Sequence, residues 1–580
     1  MPETIRRLPL AFRLLPLTLC FLLCAACLPS PPASTPSPIS IPTSAPPSYT
    51  PTPIPTSLPG ILPIPSDHAQ ALRPEFLTDL DLLPDATRYE VELAITPDMT
   101  TITGHERVGH FNTGDTPLKD LYLCLFPNTP GYGGEMTATN ILLDGRPVMP
   151  VIELDGSALR LPLDPPLEPG AGLDLRLAFT LTVPTEVGQG DVLSLPKGYR
   201  QLGYYDGVLA LANAYPFIPV YDDEGWNVEL APTYGDAVYS ETSFYVVHIT
   251  APAEMRLITS GTCATPDLNP DGSTTWTCVT GPMRDFNAVL GPDYQVESHV
   301  VEGVTVNSVF YPQHHQGGEN ALDWATEAVR LFSTRFGPYP FTELDVVETP
   351  TCAGGIEYPG LVVINSSYYE TLSERMEWVV VHEVGHQWWY SLVGNDQVDE
   401  PWLDEALVQY STLLYYEDRY GAELAAELLE QVFRRPYEEL VASGRDAPAG
   451  LPVAAYSEED YGPVVYQKGP LYFHALRQEV GDESFWAILQ AYFARNRYGV
   501  ATPEDWLATV EAVTGDEQRA LYEQWIEGRW ERQRSNKQSS GPLAPDRCPQ
   551  SPHTTPQRIR LFGRLLRLTL ALAWHNRDAL

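Results

Sequence analysis

With 580 residues, 43% of them hydrophobic, the chain has enough apolar material for more than one globular core. Its formal charge of −39 excludes nucleic-acid binding by the main body, whose carboxylates would repel phosphates. The charge is uneven: from Arg529 onward nine Arg and one Lys stand against Glu531, Asp546 and Asp578. Arg6, Arg7 and Arg13 precede a short apolar run, Leu14 to Leu23, and then the small-residue sequence CAAC. Residues 1–27 therefore read as an export signal of lipoprotein type, with Cys27 the lipid-bearing residue. Cys24 stands where such processing boxes usually carry an aliphatic residue, which keeps simple secretion as the alternative. The expected location is extracytoplasmic, with the protein anchored by lipid to the bacterial cell membrane. The apolar run is too short to span a bilayer, and Pro16 interrupts it.

Residues 28–66 hold fourteen prolines and no charge, a composition that forms an extended polyproline-like tether rather than a core. At about 3.1 Å per residue it reaches roughly 120 Å. From Tyr89 to Val300 short alternating runs (YEVELAIT, TITGHERVGHF, LKDLYLCLF, LDLRLAFTLTV, TSFYVVHITAP, MRLITSG) are separated by Gly, Pro, Asn and Asp turns. This predicts an antiparallel β-rich domain over 67–301. Cys263 and Cys278 flank a segment with a DG turn signal, which makes them a candidate cross-hairpin disulfide.

The period changes near Asn320. A helical run closes at Gly337, FTELDVVETP reads as a strand, and a further helix is expected from Leu372 to Leu392. Five more helical runs follow to Trp530, so 302–530 is predicted to be mainly helical, and the whole chain α+β. Beyond it, 531–580 is a basic tail, partly disorder-like, ending in a stretch that has amphipathic helical spacing.

The chemistry is concentrated in HEVGHQWW. His382 and His386, four residues apart, fall on one helix face and converge on one cation, with Glu383 between them. Glu405 follows nineteen residues after His386, in WLDEALVQYS, as a third ligand. Two His and one carboxylate with an open position describe a catalytic zinc site, since a structural site is closed by four protein ligands. Trp388, Trp389 and Trp402 read as core, and Lys468 as a solvated lysine.

HEVGHQWW with Glu405, then GGIEYPG and YQKG, resemble the gluzincin aminopeptidases, the family of membrane-alanyl aminopeptidase and the leukotriene-hydrolysing aminopeptidase. The resemblance covers about Tyr89 to Trp530. It implies a thermolysin-like catalytic domain and one Zn2+ held by His382, His386 and Glu405. Glu383 would be the general base and Tyr466 the donor to the tetrahedral oxyanion, with Tyr461 lining the site. Glu357 in GGIEYPG would bind the substrate's free α-amine, while Gly354 and Gly355 let peptide backbone come close. Tyr358 replaces the family's Asn and Ile356 its Met. The implied function is a zinc-dependent peptidase that releases N-terminal amino acids from peptides with a free N-terminus. Two alternatives are broad or endo-acting hydrolysis and a zinc-retaining, non-catalytic surface binding module. Retention of Glu383 together with Tyr466 speaks against the last. Many members of the family continue into a large C-terminal helical domain, whereas this chain stops soon after the catalytic helices, which predicts a more open site.

Overall fold

A computed structural model describes residues 66–185, 200–232 and 234–528. The leader with Cys27, the proline-rich segment to Pro65 and the basic tail lie outside the described residues. All described residues fall in one packed unit, Ser57–Leu580.

The β-rich part is built on a nine-stranded sheet whose centre is Phe244–Pro252, Arg88–Ile95, Thr101–Phe111, Gly172–Thr182 and Glu135–Leu143. Arg88–Ile95 shows why such runs form strands. Tyr89, Val91, Leu93 and Ile95 are buried, while Glu90, Glu92 and Ala94 face outward, a period of two. The pairing is antiparallel except between Arg88–Ile95 and Phe244–Pro252, which run parallel. Gly104 lies opposite Phe179, and a Cβ there would fall 2.2 Å from the ring, so the glycine makes room for the aromatic. At the sheet's edge Cys263 and Cys278 are register partners and form the expected disulfide. A three-stranded and a four-stranded sheet complete this part.

The second part begins with a five-stranded sheet ordered Gln295–Val301, Val304–Phe310, Glu343–Thr349, Leu361–Asn365 and Gly355–Ile356. The boundary expected at 301/302 falls in the turn of its first hairpin. Its strand Leu361–Asn365 is apolar up to its last residue because both faces are covered. Val346 and Val362 pack with the helices, while their neighbours Val347 and Val363 pack with the β-rich core. Gly355–Ile356 is the short strand at the end of this sheet, where the two cores meet.

Helix His315–Arg335 packs against the strand Val304–Phe310 and the helix Met376–Gly385. The latter is shorter than the expected 372–392. It ends at His386, and the chain turns so that Trp388 and Trp389 are both buried, with Tyr390 at φ 114°. The buried Arg284 holds this exit, donating to the Tyr390 carbonyl at 2.6 Å, and the Tyr390 hydroxyl donates to Asp285 at 2.7 Å.

Candidate active site

His382 and His386 lie on the last turn of Met376–Gly385 and at its C-cap, buried among Val380, Val381 and Val384. Glu405 comes from a π-helical turn, Trp402–Ala406, that leads into helix Leu407–Tyr420. Such wide turns recur at functional sites because they re-aim a side chain. The three side chains converge. His382 Nε2 is 3.1 Å from His386 Nε2 and 3.1 Å from Glu405 Oε2, and His386 Nε2 is 3.4 Å from Glu405 Oε2. Ligands about 2.05 Å from a tetrahedral zinc ion sit ~3.3 Å apart, so these separations fit one such ion.

The electrostatics fit as well. Burial would raise Glu405, but His386 and His382 hold it far below the usual carboxylate range. Burial would lower His386, yet Glu405 and Glu357 push it up to about 10, which marks a place that demands positive charge. The Nδ1 of His386 faces the Trp389 carbonyl at 3.2 Å, the outer contact that fixes the ring of a metal-binding histidine.

Glu383 is buried, and burial followed by the nearby Glu357 raises its pKa well above normal. It lies under the edge strand: a Cβ on Gly355 would be 2.5 Å from Glu383 Cγ, so only glycine fits there. Ligand atoms of Glu357, Glu383 and His386 lie within 4.8 Å of one another. The Tyr466 hydroxyl donates to Glu405 Oε1. Tyr461 is fully buried, edge-on behind Tyr466 with ring centroids 5.8 Å apart.

Sequence reasoning missed three residues here. Asp236 arrives from the β-rich part on the loop Tyr234–Asp236. Gly235, at φ +80°, rests against Tyr461, and the Tyr234 hydroxyl donates to the Tyr456 carbonyl at 2.9 Å. Asp236 lies near Glu357, and burial, then the Glu357 charge, raise its pKa well above normal. Asp222 is engaged with Asn227 and the Glu224 amide. Gln387 is the second. Its Nε2 reaches the carbonyls of Glu357 and Tyr358, and its Oε1 accepts from the Gly360 amide at 2.8 Å, tying GGIEYPG to the metal helix. The third is Lys468, expected in solvent but buried, donating to Asp446 at 2.8 Å and to the Ala447 carbonyl. Tyr358 belongs to the β-rich apolar core with its hydroxyl buried.

An HExxH pair with a downstream glutamate, on a helix beside a mixed sheet, is the ligand set of a gluzincin-type zinc site. Residues 320–525 match the peptidase family M1 domain, and this part of the chain is similar to the gluzincin aminopeptidases. The cofactor of this site is one zinc ion. Among curated relatives, aminopeptidase M1 of Arabidopsis thaliana is 28% identical over 251 residues, covering 41% of this chain and 28% of that protein. Aminopeptidase N of Lactococcus lactis is 26% identical over 277 residues, covering 43% and 32%. The chain thus spans about a third or less of the length of these relatives. The crystal structure of an M1 zinc metallopeptidase from Deinococcus radiodurans has the same fold, with TM-score 0.57 and 21% identity over 77% of this chain and 94% of that one. A mutant of that peptidase has been solved bound to a Tyr-Ser-Ala substrate.

Proposed function

We propose that the protein is a zinc aminopeptidase that hydrolyses the first peptide bond of peptides with a free N-terminus. The observation that carries this reading is the Asp236–Glu357 pair, two carboxylates close enough for their charges to act on one another, with Glu357 beside Glu383 and His386. An α-ammonium between them gains charge-assisted bonds that the amide of a chain interior cannot make.

Zinc, bound by His382, His386 and Glu405, supplies Lewis acidity and brings the pKa of water toward neutrality. The chain's own residues do the rest. Glu383 takes the proton of the attacking water and passes it to the leaving amine. Tyr466 turns its hydroxyl from Glu405 to the developing oxyanion. The edge strand Gly355–Ile356 offers backbone groups to which an extended peptide adds as a further strand. Broad or endo-acting hydrolysis was suggested by Tyr358, but that side chain packs in the β-rich core, so the departure from Asn leaves the amine pocket to Glu357 and Asp236.

The test compares aminoacyl p-nitroanilides with free and acetylated amines, with and without chelator. Only the free amine should be cleaved, and only with metal. Asp236→Asn and Glu357→Gln should each raise KM about 10- to 100-fold. Equal cleavage of the acetylated substrate would overturn the reading.

We further propose an extracytoplasmic protein held to the membrane through lipid on Cys27. The leader composition supports this, and the Cys263–Cys278 disulfide suits an oxidising compartment. Among the described residues no helix is long and apolar enough to cross a membrane. Replacing Cys27 by Ala should release the protein from the membrane fraction, and retention there would count against the anchor.

A further inference from the structure

A second group of metal-ligating side chains lies on the edge of the five-stranded sheet and shares no residue with the catalytic cluster. Glu297 belongs to the edge strand Gln295–Val301, and His315 and Glu319 sit one turn apart at the start of helix His315–Arg335. His315 Nε2 is 3.1 Å from Glu297 Oε1, and its Nδ1 is 3.6 Å from Glu319 Oε2. One ligand atom from each of the three lies within 4.8 Å of the other two. The imidazole stands edge-on to Phe310, with ring centroids 5.9 Å apart, a contact that restricts its rotation.

Among the described residues neither Glu297 nor Glu319 is paired with a Lys or Arg, and Glu319 accepts in addition from the Gln316 side-chain amide at 3.2 Å. With the imidazole neutral, the group carries two negative charges and offers a nitrogen lone pair. The helix start opposes a cation with only about half an elementary charge, so the carboxylates outweigh it. One imidazole gives one nitrogen to an ion. Nε2 and Glu297 already stand near the ~3.3 Å separation of ligands on tetrahedral zinc. Glu319, exposed and one turn on, brings an oxygen to the same nitrogen by a rotamer change, and water takes the fourth position. A nitrogen among the ligands favours zinc over Ca2+ and Mg2+, which take oxygen.

We infer that Glu297, His315 and Glu319 form a second, solvent-accessible zinc site that clamps the edge strand to the helix. The full chain, with its catalytic zinc bound, is dialysed against increasing free Zn2+, and bound metal is counted per chain. Wild type should take up about one saturable ion more than His315→Gln. Its thermal unfolding midpoint should also rise as that ion binds, because the three ligands are brought together only in the folded protein. His315→Lys separates ligation from simple ion pairing: it keeps a cation between the carboxylates but offers no lone pair, and it should lose the ion and the midpoint shift as His315→Gln does. Glu297→Gln and Glu319→Gln should each weaken uptake by no less than the roughly 10-fold that loss of an outer contact costs. Turnover without added zinc should match wild type in all four variants. Equal uptake by wild type and His315→Gln, or a difference that never saturates, marks adventitious binding to surface carboxylates and overturns the site. Uptake that survives in His315→Lys overturns it as well, since the group would then be an ion pair alone.

Discussion

Two glutamates buried to the same degree show how the halves of the molecule differ. Glu405 is 4% exposed in the helical part and Glu106 is 3% exposed in the β-rich part. Glu405 meets two imidazoles and a phenol hydroxyl, and those partners hold it ionised. Glu106 has Val91 and Leu177 as its cross-strand neighbours, neither carboxylate oxygen finds a hydrogen-bond partner, and burial drives its pKa well up. Burial of a carboxylate is thus no sign of chemistry by itself. Convergence of complementary groups on one point is what separates the two.

The largest effects should follow from breaking that convergence. Replacing His386 by Ala, or adding a chelator, should abolish hydrolysis together with bound zinc, as read by metal analysis. Glu383→Gln should lower kcat about 10²- to 10⁴-fold while zinc content stays near one per chain, since Glu383 moves protons rather than holding the ion. Loss of zinc in Glu383→Gln would mean that this glutamate belongs to the ligand set. Tyr466→Phe should cost about 10²- to 10³-fold in kcat with KM nearly unchanged, because its hydroxyl is needed when charge develops. A KM effect of that size would place Tyr466 in substrate binding instead.

The contrast also explains what could be read from the chain alone. His382, Glu383 and His386 are legible because a helix brings residues four apart together, and Glu405 and Tyr466 because they follow at motif spacing. Strands such as Thr101–Phe111 are legible from their alternation. Asp236 was not, since it meets Glu357 across 121 residues and is carried there by a loop whose only local signal is the Tyr-Gly-Asp turn. Lys468 misled because its partner Asp446 lies 22 residues away and burial has no signature in a lone lysine. The helix end at His386 was missed because HEVGHQWW continues without Gly or Pro after Gly385. What turns the chain there is tertiary: Arg284, 106 residues upstream of Tyr390.

The smallest expected effect lies in the β-rich half and concerns stability alone. Glu106 keeps its proton in the folded state, whereas the unfolded chain releases it above ~4.3. Its contribution to stability is therefore fully present at low pH and is lost as pH rises toward the raised folded value. Glu106→Gln presents a neutral group of the same shape at every pH and removes that loss. Urea unfolding should show the variant gaining about 1–3 kcal/mol over wild type at pH 8 and much less at pH 5. Turnover should stay unchanged, because Glu106 touches neither the metal cluster nor the amine pocket. Parallel pH dependences of the two proteins would show that Glu106 is ionised in the fold with a partner supplied by solvent, and the contrast with Glu405 would then be one of partner identity rather than of partner presence.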